Sequence, residues 1–459
     1  MNTRHCIRTL LLAVSFAAAP IAGAADLGSI YEQALKNDPL IREAEANRRA
    51  ARESKPQALS ALLPQINASG RYDEDDSEFD GSFVSPAGVT PQVRDSDGDT
   101  KAWQLSLRQS VFSWQNWATL RRASAEVAQA ESDYQAAQQD LILRTSEAYF
   151  NVLAAQATLE AAQAAHDAIA RQLEQSEKRF EVGLIAVTDV QEAKAAYDSA
   201  TAALIQAKRT LATTGERLRE LTGEAYDELE KPDDNMPLAG PNPTNEEDWV
   251  KLAMDQNAQL VSSRLAADIT RQNVSVERGG HLPSLDLVVT HSDSEETATI
   301  TGTQAGDVNN QFQGTIYSLQ VTAPIFSGGA TNSRVRQAQY RHTAARERLE
   351  RTARETERET RDAFLGVNSE VARVQSLRQA VESAKTALQA TEAGYEVGTR
   401  TSVDVLDARR RLFEAQTNYA RSRYDYLLNV LRLRLAAGTL DDQGIADINA
   451  LLTENVKVK

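Results

Sequence analysis

The sequence is poor in the residues that build catalytic or cross-linked centres. Its one cysteine, Cys6, lies in a segment read below as a cleaved leader, so the mature chain has neither disulfides nor thiol chemistry. The five histidines are scattered without metal-ligand spacing and no Gly-x-Ser-x-Gly occurs, which leaves a hydrolase of the cell envelope unsupported. No enzymatic activity, catalytic residue, metal or cofactor is expected. After the leader, no apolar run approaches the roughly 20 residues of a transmembrane helix, which excludes a membrane-spanning helical bundle. A basic surplus is missing too: the formal charge is −15, and −17 once Arg4 and Arg8 leave with the leader, so nucleic acid is not an expected partner. Aromatics are only 6% and proline and glycine are sparse over long stretches, which favours extended helices over several compact cores.

What is present starts with export. Arg4, His5 and Arg8 precede an apolar run from Leu10 to Ala19 and the small residues Ala22-Gly23-Ala24, the layout of a signal peptide over residues 1–24. Leu27 to Leu62 then reads as helix with a break at Asn37-Asp38-Pro39. From Gln65 the period changes to two, with Ile66, Ala68, Gly70 and Tyr72 on one side, and Trp103, Leu105, Leu107 and Val111 alternate in the same way. These are two amphipathic strands of about ten residues, the pattern of a transmembrane barrel wall. The acidic stretch from Asp73 to Thr100 between them reads as an exposed loop, and its Asp95-Ser96-Asp97-Gly98-Asp99 as solvated charge, because the glycine and the closing glutamate of a calcium loop are misplaced.

After Phe112-Ser113 a helical period runs for nearly seventy residues, with Leu120, Val127, Tyr134 and Leu141 seven apart and then, four residues out of step, Val152, Leu159, His166, Leu173 and Phe180. At 1.5 Å per residue this helix is about 100 Å long. It turns at Gly183 into a second helix marked by Val190, Tyr197, Leu204, Leu211 and Leu218, ended at Gly223. Prolines 232, 237, 241 and 243 mark a linker or strap. Then the series restarts: a helix from Trp249, alternation at Leu285, Leu287 and Val289, a polar loop, alternation at Tyr317, Leu319 and Val321, and a heptad pattern that turns at Gly398 and ends at Gly438. The seam residues lie 215 places after their counterparts, an internal duplication. The expected division is 25–223 and 246–438 as two repeats, 224–245 as linker, and 439–459 as a loosely packed or disordered tail.

Four strands cannot close a barrel, and an open edge in lipid leaves backbone groups unpaired. Three chains pooling their strands make a wall of twelve with a lumen. The tips Val182-Gly183-Leu184-Ile185-Ala186-Val187-Thr188-Asp189 and Val397-Gly398-Thr399-Arg400-Thr401-Ser402-Val403-Asp404-Val405-Leu406-Asp407-Ala408 resemble the helical-hairpin tips of the TolC family of outer-membrane channels, and the likeness covers essentially the whole mature chain in order. The resemblance implies a mainly α fold with membrane β: a homotrimer with a twelve-stranded barrel in outer-membrane lipid of a Gram-negative bacterium and an α-helical periplasmic tunnel. It further implies an exit duct for tripartite efflux pumps and/or type I protein secretion, docked to a periplasmic adaptor (membrane-fusion) protein and an inner-membrane transporter of RND, ABC or MFS type. Tip residues Val182, Gly183, Leu184, Val397, Gly398 and Thr399 are then the adaptor contact, and Tyr395 and Arg400 latches bonding to Asp189 and Thr188.

Independently of that likeness, Asp404 and Asp407 stand three apart and project from one helix face, so a threefold axis would gather their carboxylates into a cation-attracting constriction. The same residues admit a plainer role, since Asp189 and Asp404 lie near helix starts where they or Thr188 and Ser402 could cap or complement the dipole. A coiled-coil fibre or surface adhesin fits the alanine heptads but not four amphipathic strands at duplicated positions.

Overall fold

A computed structural model describes residues 24–86, 88–233, 235–302 and 305–458; the expected leader falls outside these apart from Ala24. The described residues begin with three short helices: α1 (Leu27–Asn37), α2 (Pro39–Arg52) and α3 (Ser54–Ser60). The break falls where Asp38 ends α1 and caps α2, with Pro39 at the first helical position, where a missing N–H costs nothing. Strands β1 (Gln65–Ser85) and β2 (Gly88–Phe112) follow, then α4 (Trp114–Glu181) and α5 (Val187–Thr222). After β3 (Glu228–Pro232) the order recurs as α6 (Glu246–Gln256), α7 (Ala258–Gly279), β4 (Ser284–Gly302), β5 (Gly306–Thr322), α8 (Ala330–Glu396) and α9 (Ser402–Ala437). Helix α10 (Asp442–Asn449) and β6 (Leu452–Lys457) complete it.

The four long strands form one antiparallel sheet in the order β1-β2-β4-β5, leaving β1 and β5 as its edges. The pairing of Ile66 with Leu107, Ala68 with Leu105, Leu107 with Val289 and Val289 with Tyr317 gathers the apolar side chains on one face, and Asn67, Ser106, Thr290 and Ile316 share the other. Ile66, Leu105, Tyr317 and Leu319 are exposed, as side chains facing lipid are. No helix among the described residues is long and apolar enough to cross a membrane.

The expected loops are instead strand. Asp73 pairs with Thr100, Asp76 with Asp97 and Glu78 with Asp95, so the hairpin stays paired to its turn near residue 86; β4 and β5 likewise pair up to Ile300 and Gly306. Backbone pairing, once set by the apolar segment, extends past it. Carboxylates opposite one another there project into water, where screening weakens their repulsion. The strands are therefore 21 and 25 residues long in the first hairpin, about twice the expectation.

At the other end, α4 pairs with α5 and α8 with α9 in two long hairpins, with α4 also against α9. Small residues make close approach possible: Ala193, Ala200 and Ala207 of α5 are buried along with the seam leucines 204, 211 and 218. His166 meets Tyr197 across this seam at a ring separation of 5.1 Å.

The main core lies at mid-height, where Tyr149, Phe150, Leu153, Tyr424, Leu427 and Leu431 are buried with Leu27 and Ile30. Phe150 stacks on Tyr424 at 5.9 Å. The strap is tied into this belt, since Tyr426 Oη donates to Ala239 O at 2.9 Å. The tail is ordered, contrary to expectation. Strand β6 pairs with β3, and Leu440, Ile445, Ile448 and Leu452 are buried in the same core. Four apolar residues in a short acidic segment suffice because the surface they meet is already formed by longer helices.

Two helix ends related by the 215-residue displacement, Gly223 and Gly438, both take left-handed φ, 78° and 76°. Their surroundings differ. A Cβ on Gly438 would lie 2.4 Å from the Gln256 backbone, whereas one on Gly223 would meet only the Asn37 side chain at 3.6 Å. Gly223→Ala should cost about 1 kcal/mol from φ alone. Gly438→Ala adds a backbone clash and should lower the thermal midpoint by clearly more, read by circular dichroism; equal midpoints would remove the close approach from the account.

Candidate functional site

The site predicted from sequence is the pair of hairpin tips. In the first, Gly183 takes φ 75° and its N–H donates to Phe180 O at 2.8 Å, while Leu184 N donates to Arg179 O at 2.9 Å. In the second, Gly398 takes φ 79°, its N–H donates to Tyr395 O at 3.1 Å, and Thr399 N donates to Gly394 O at 2.8 Å. Both glycines are required by positive φ and have open space around them. The turns expose apolar side chains: Val182, Leu184 and Val397 are 70%, 72% and 76% accessible.

The helix starts after the two turns differ. Thr401 caps α9 with a capping box: Asp404 N donates to Thr401 Oγ1 at 3.2 Å, and Asp404 Oδ2 accepts from Thr401 N at 2.9 Å and from Thr401 Oγ1 at 3.0 Å. At the equivalent place α5 has Ala186, with no side-chain cap. Asp189 sits in the first turn of α5 with its N–H on Ala186 O at 3.1 Å, and among the described residues no comparable cap engages its carboxylate. The hydrogen bonds from Thr401, first the backbone N–H and then the hydroxyl, hold the Asp404 carboxyl below its ordinary value.

Asp404 and Asp407 both lie on the first two turns of α9, beside the buried Ser402 and Val405. Asp407 pairs with Arg410 on its own helix at 3.2 Å. Tyr395 is half-buried, and its ring lies under the Arg179 guanidinium at 5.1 Å, a cation–π contact joining the end of α8 to the end of α4. Within the chain, among the described residues, no hydrogen bond joins Tyr395 or Arg400 to Thr188 or Asp189; Arg400 packs its side chain beside Gly394. Thus the sequence-predicted residues occupy one end of the molecule, with Tyr395 against the other hairpin and the two aspartates on one helix.

Sequence reasoning missed Arg409. It reaches across from α9 to Glu392 of α8 at 2.7 Å and to the Ala168 carbonyl of α4 at 3.2 Å, tying three helices together above the tips. A lone arginine among Arg409-Arg410-Arg411 carries no signal distinguishing it from its exposed neighbours.

The Outer membrane efflux protein family model matches residues 30–224 and 249–439. The chain is 38% identical over 427 residues to Outer membrane protein TolC of Vibrio cholerae, covering 93% of this chain and 94% of that protein. It is 28% identical over 414 residues to the Alkaline protease secretion protein AprF of Pseudomonas aeruginosa, covering 90% and 84%. In fold it is similar to the CmeC outer membrane channel of Campylobacter jejuni, with a TM-score of 0.75 at 20% identity over 93% of this chain and 90% of that one.

The capping box predicts a local response. Thr401→Ala should loosen the first turn of α9 by about 1 kcal/mol, seen as faster amide exchange there, whereas Thr188→Ala, which removes no cap, should leave α5 unchanged. The sign with pH follows from a carboxyl lowered on folding: the contribution of Asp404 is complete above the ordinary carboxylate value near 4 and is lost as pH falls through the lowered one. Protection at those amides, taken relative to the intrinsic exchange rate at each pH, that instead falls as pH rises would contradict the assignment.

Proposed function

The chain belongs to the outer membrane efflux protein family, and from that premise we propose that it works as a homotrimeric exit duct closed at the periplasmic tips of its helical hairpins. It is an outer-membrane duct serving efflux and type I secretion. One observation carries the reading: a four-stranded sheet, apolar on one face and polar on the other, ends in two unpaired edges and stands above two helical hairpins whose first helices are about 100 Å long. In hydrocarbon each unpaired backbone group costs several kcal/mol, so the edges need strands from other copies. Three copies supply twelve, even in number and wide enough for a lumen with the polar face inside.

Under this reading the two repeats, 25–223 and 246–438, give each protomer one hairpin of each kind, bound by the 224–245 strap. The exposed Val182, Leu184 and Val397, with Gly183, Gly398 and Thr399, offer an apolar docking surface to a periplasmic adaptor. An inner-membrane transporter of RND, ABC or MFS type then supplies the energy. Asp404 and Asp407 line the narrow end. Asp189, whose carboxylate no cap engages, is the natural acceptor for a latch from Tyr395 or Arg400 of a neighbouring hairpin. The unequal helix starts support this division of roles.

Single-channel recording in planar bilayers tests the gate. Tyr395→Phe with Arg400→Ser should raise conductance; an unaltered value would leave these residues a packing role only. Asp404→Asn with Asp407→Asn removes the charges while keeping an acceptor for the Thr401 cap. Block by multivalent cations should weaken by at least several-fold, and undiminished block would place the two aspartates outside the conduction path.

A further inference from the structure

The sheet carries enough internal symmetry to specify how one protomer meets the next. In the first hairpin Gln65 pairs with Arg108, Tyr72 with Lys101 and Asp80 with Val93. In the second, Ser284 pairs with Thr322, His291 with Thr315 and Thr299 with Asp307. Each second pair is the first moved by 219 residues on the ascending strand and 214 on the descending one, without a slip. The two hairpins are thus equivalent in register, and the seam that joins them, β2 to β4, is a template for the seam joining β5 to the β1 of a second copy.

Applying those displacements to the β2–β4 pairs yields the missing seam. The pair Gly98 with Ala298 becomes Phe312 with Phe79, and Gln104 with Ser292 becomes Ser318 with Asp73. Resting on the homotrimer reading above, we propose that β5 of one protomer pairs antiparallel with β1 of a second copy of this chain in this register, placing Phe312 directly opposite the partner copy's Phe79.

Three observations support the register. First, it keeps the faces together: Leu319 falls opposite Tyr72 on the apolar face, and Phe312 opposite Phe79 on the polar, lumen-side face; a slip by one residue would invert one strand. Second, Phe79 and Phe312 sit on the two edge strands, are both 57% accessible within the protomer, and each lies over a glycine two places on, at Gly81 and Gly314. The small neighbours leave room for two rings where the equivalent inner seam is filled by Gly98 packed tightly on Ala298. Third, the acidic row Glu74, Asp76, Glu78 and Asp80 of β1, already facing Asp99, Asp97 and Asp95 on one side, would meet Tyr317, Thr315, Gln313 and Gln311 on the other. Hydrogen-bond donors there avoid a second carboxylate ladder. The seam is then an aromatic clasp on the lumen wall, repeated at each protomer boundary.

A chain without mature cysteines makes the test direct. Cross-strand partners lie about 4.5–5.5 Å apart at Cα, within disulfide range, whereas partners two residues out of register are about 7–8 Å apart. Within one chain β1 and β5 are separated by two strands, about 14 Å, too far to bridge. Full-length protein carrying Phe79→Cys and Phe312→Cys should, on oxidation in detergent, become a covalent trimer on a denaturing gel and return to monomer on reduction. Ser77→Cys with Phe312→Cys should link at least several-fold less. Tyr72→Cys with Leu319→Cys reads the same register from the other face and belongs to the other type of ladder pair, so one of the two in-register pairs has the closer spacing. Preferential linking of the offset pair, or failure of both in-register pairs in protein that native mass measurement shows as a trimer, would overturn the register and leave the duct standing. A wild-type monomer in that measurement would overturn both.

Discussion

Everything above the helices depends on one constraint: a peptide group in hydrocarbon has no water to bond, so each N–H and C=O must find a protein partner. A helix satisfies this within itself, but this chain has no helix suited to lipid among its described residues. Strands satisfy it only in company. Four of them leave two open edges, and the edges make the single chain incomplete in the membrane. The same constraint orients the rest. Both β-turns lie at one end of the sheet, so α4 and α8 leave from the other end in the same direction, and their hairpin tips are carried to a common distant level.

Duplication supplies two near-copies of each part, and the copies differ at their helix starts. Gly183 and Gly398 make the same left-handed turn, and Gly223 and Gly438 the same helix stop. Between these fixed points Ala186 stands where Thr401 does: the backbone N–H and hydroxyl of Thr401 both bond Asp404, whereas the start of α5 has no side-chain cap. Asp404 is held by its own helix start, whereas Asp189 keeps its acceptor capacity. A capped carboxylate is oriented and stays ionised to lower pH; an uncapped one can accept a partner from elsewhere. Tyr395, seated against Arg179 of the other hairpin, already couples the two tips in each chain.

Most of this architecture was legible because period is a strong signal where burial is one-sided. The heptads of α4 and α8, the turns at Gly183 and Gly398, and the apolar alternation at Ile66–Tyr72 and Trp103–Leu107 each obey a burial requirement that the sequence must display. Beyond the lipid that requirement ends. Residues 73–85 and 88–100 carry acids, glycine and proline on a backbone that remains paired, so the strand continues without any pattern to announce it. The tail failed for the opposite reason. Leu440, Ile445, Ile448 and Leu452 are too few to define a period, yet they fit a core made by other elements. At the tips the aspartates stand out by position, but the difference between a capped and an uncapped one depends on a threonine one helix turn before Asp404. Arg409 depended on a three-helix approach that no local spacing encodes.

In the proposed gate, Arg409 limits where the tips can move. Its guanidinium binds Glu392 on the paired helix α8 and the Ala168 carbonyl of α4, so it joins the two hairpins through a backbone group that cannot swing away as a side chain would. Ala168 lies fifteen residues before Gly183, about 22 Å along the helix. Separation of the hairpins below that level costs the exposed contacts near the tips, such as Arg179 over Tyr395, whereas separation above it must also break the part-buried, charge-assisted bond from Arg409 to the Ala168 carbonyl. The cheaper motion is therefore a splaying of the tips about the Arg409 level. That is where the exposed apolar residues of both turns would let an adaptor act, and it leaves the alanine-packed seams higher up undisturbed.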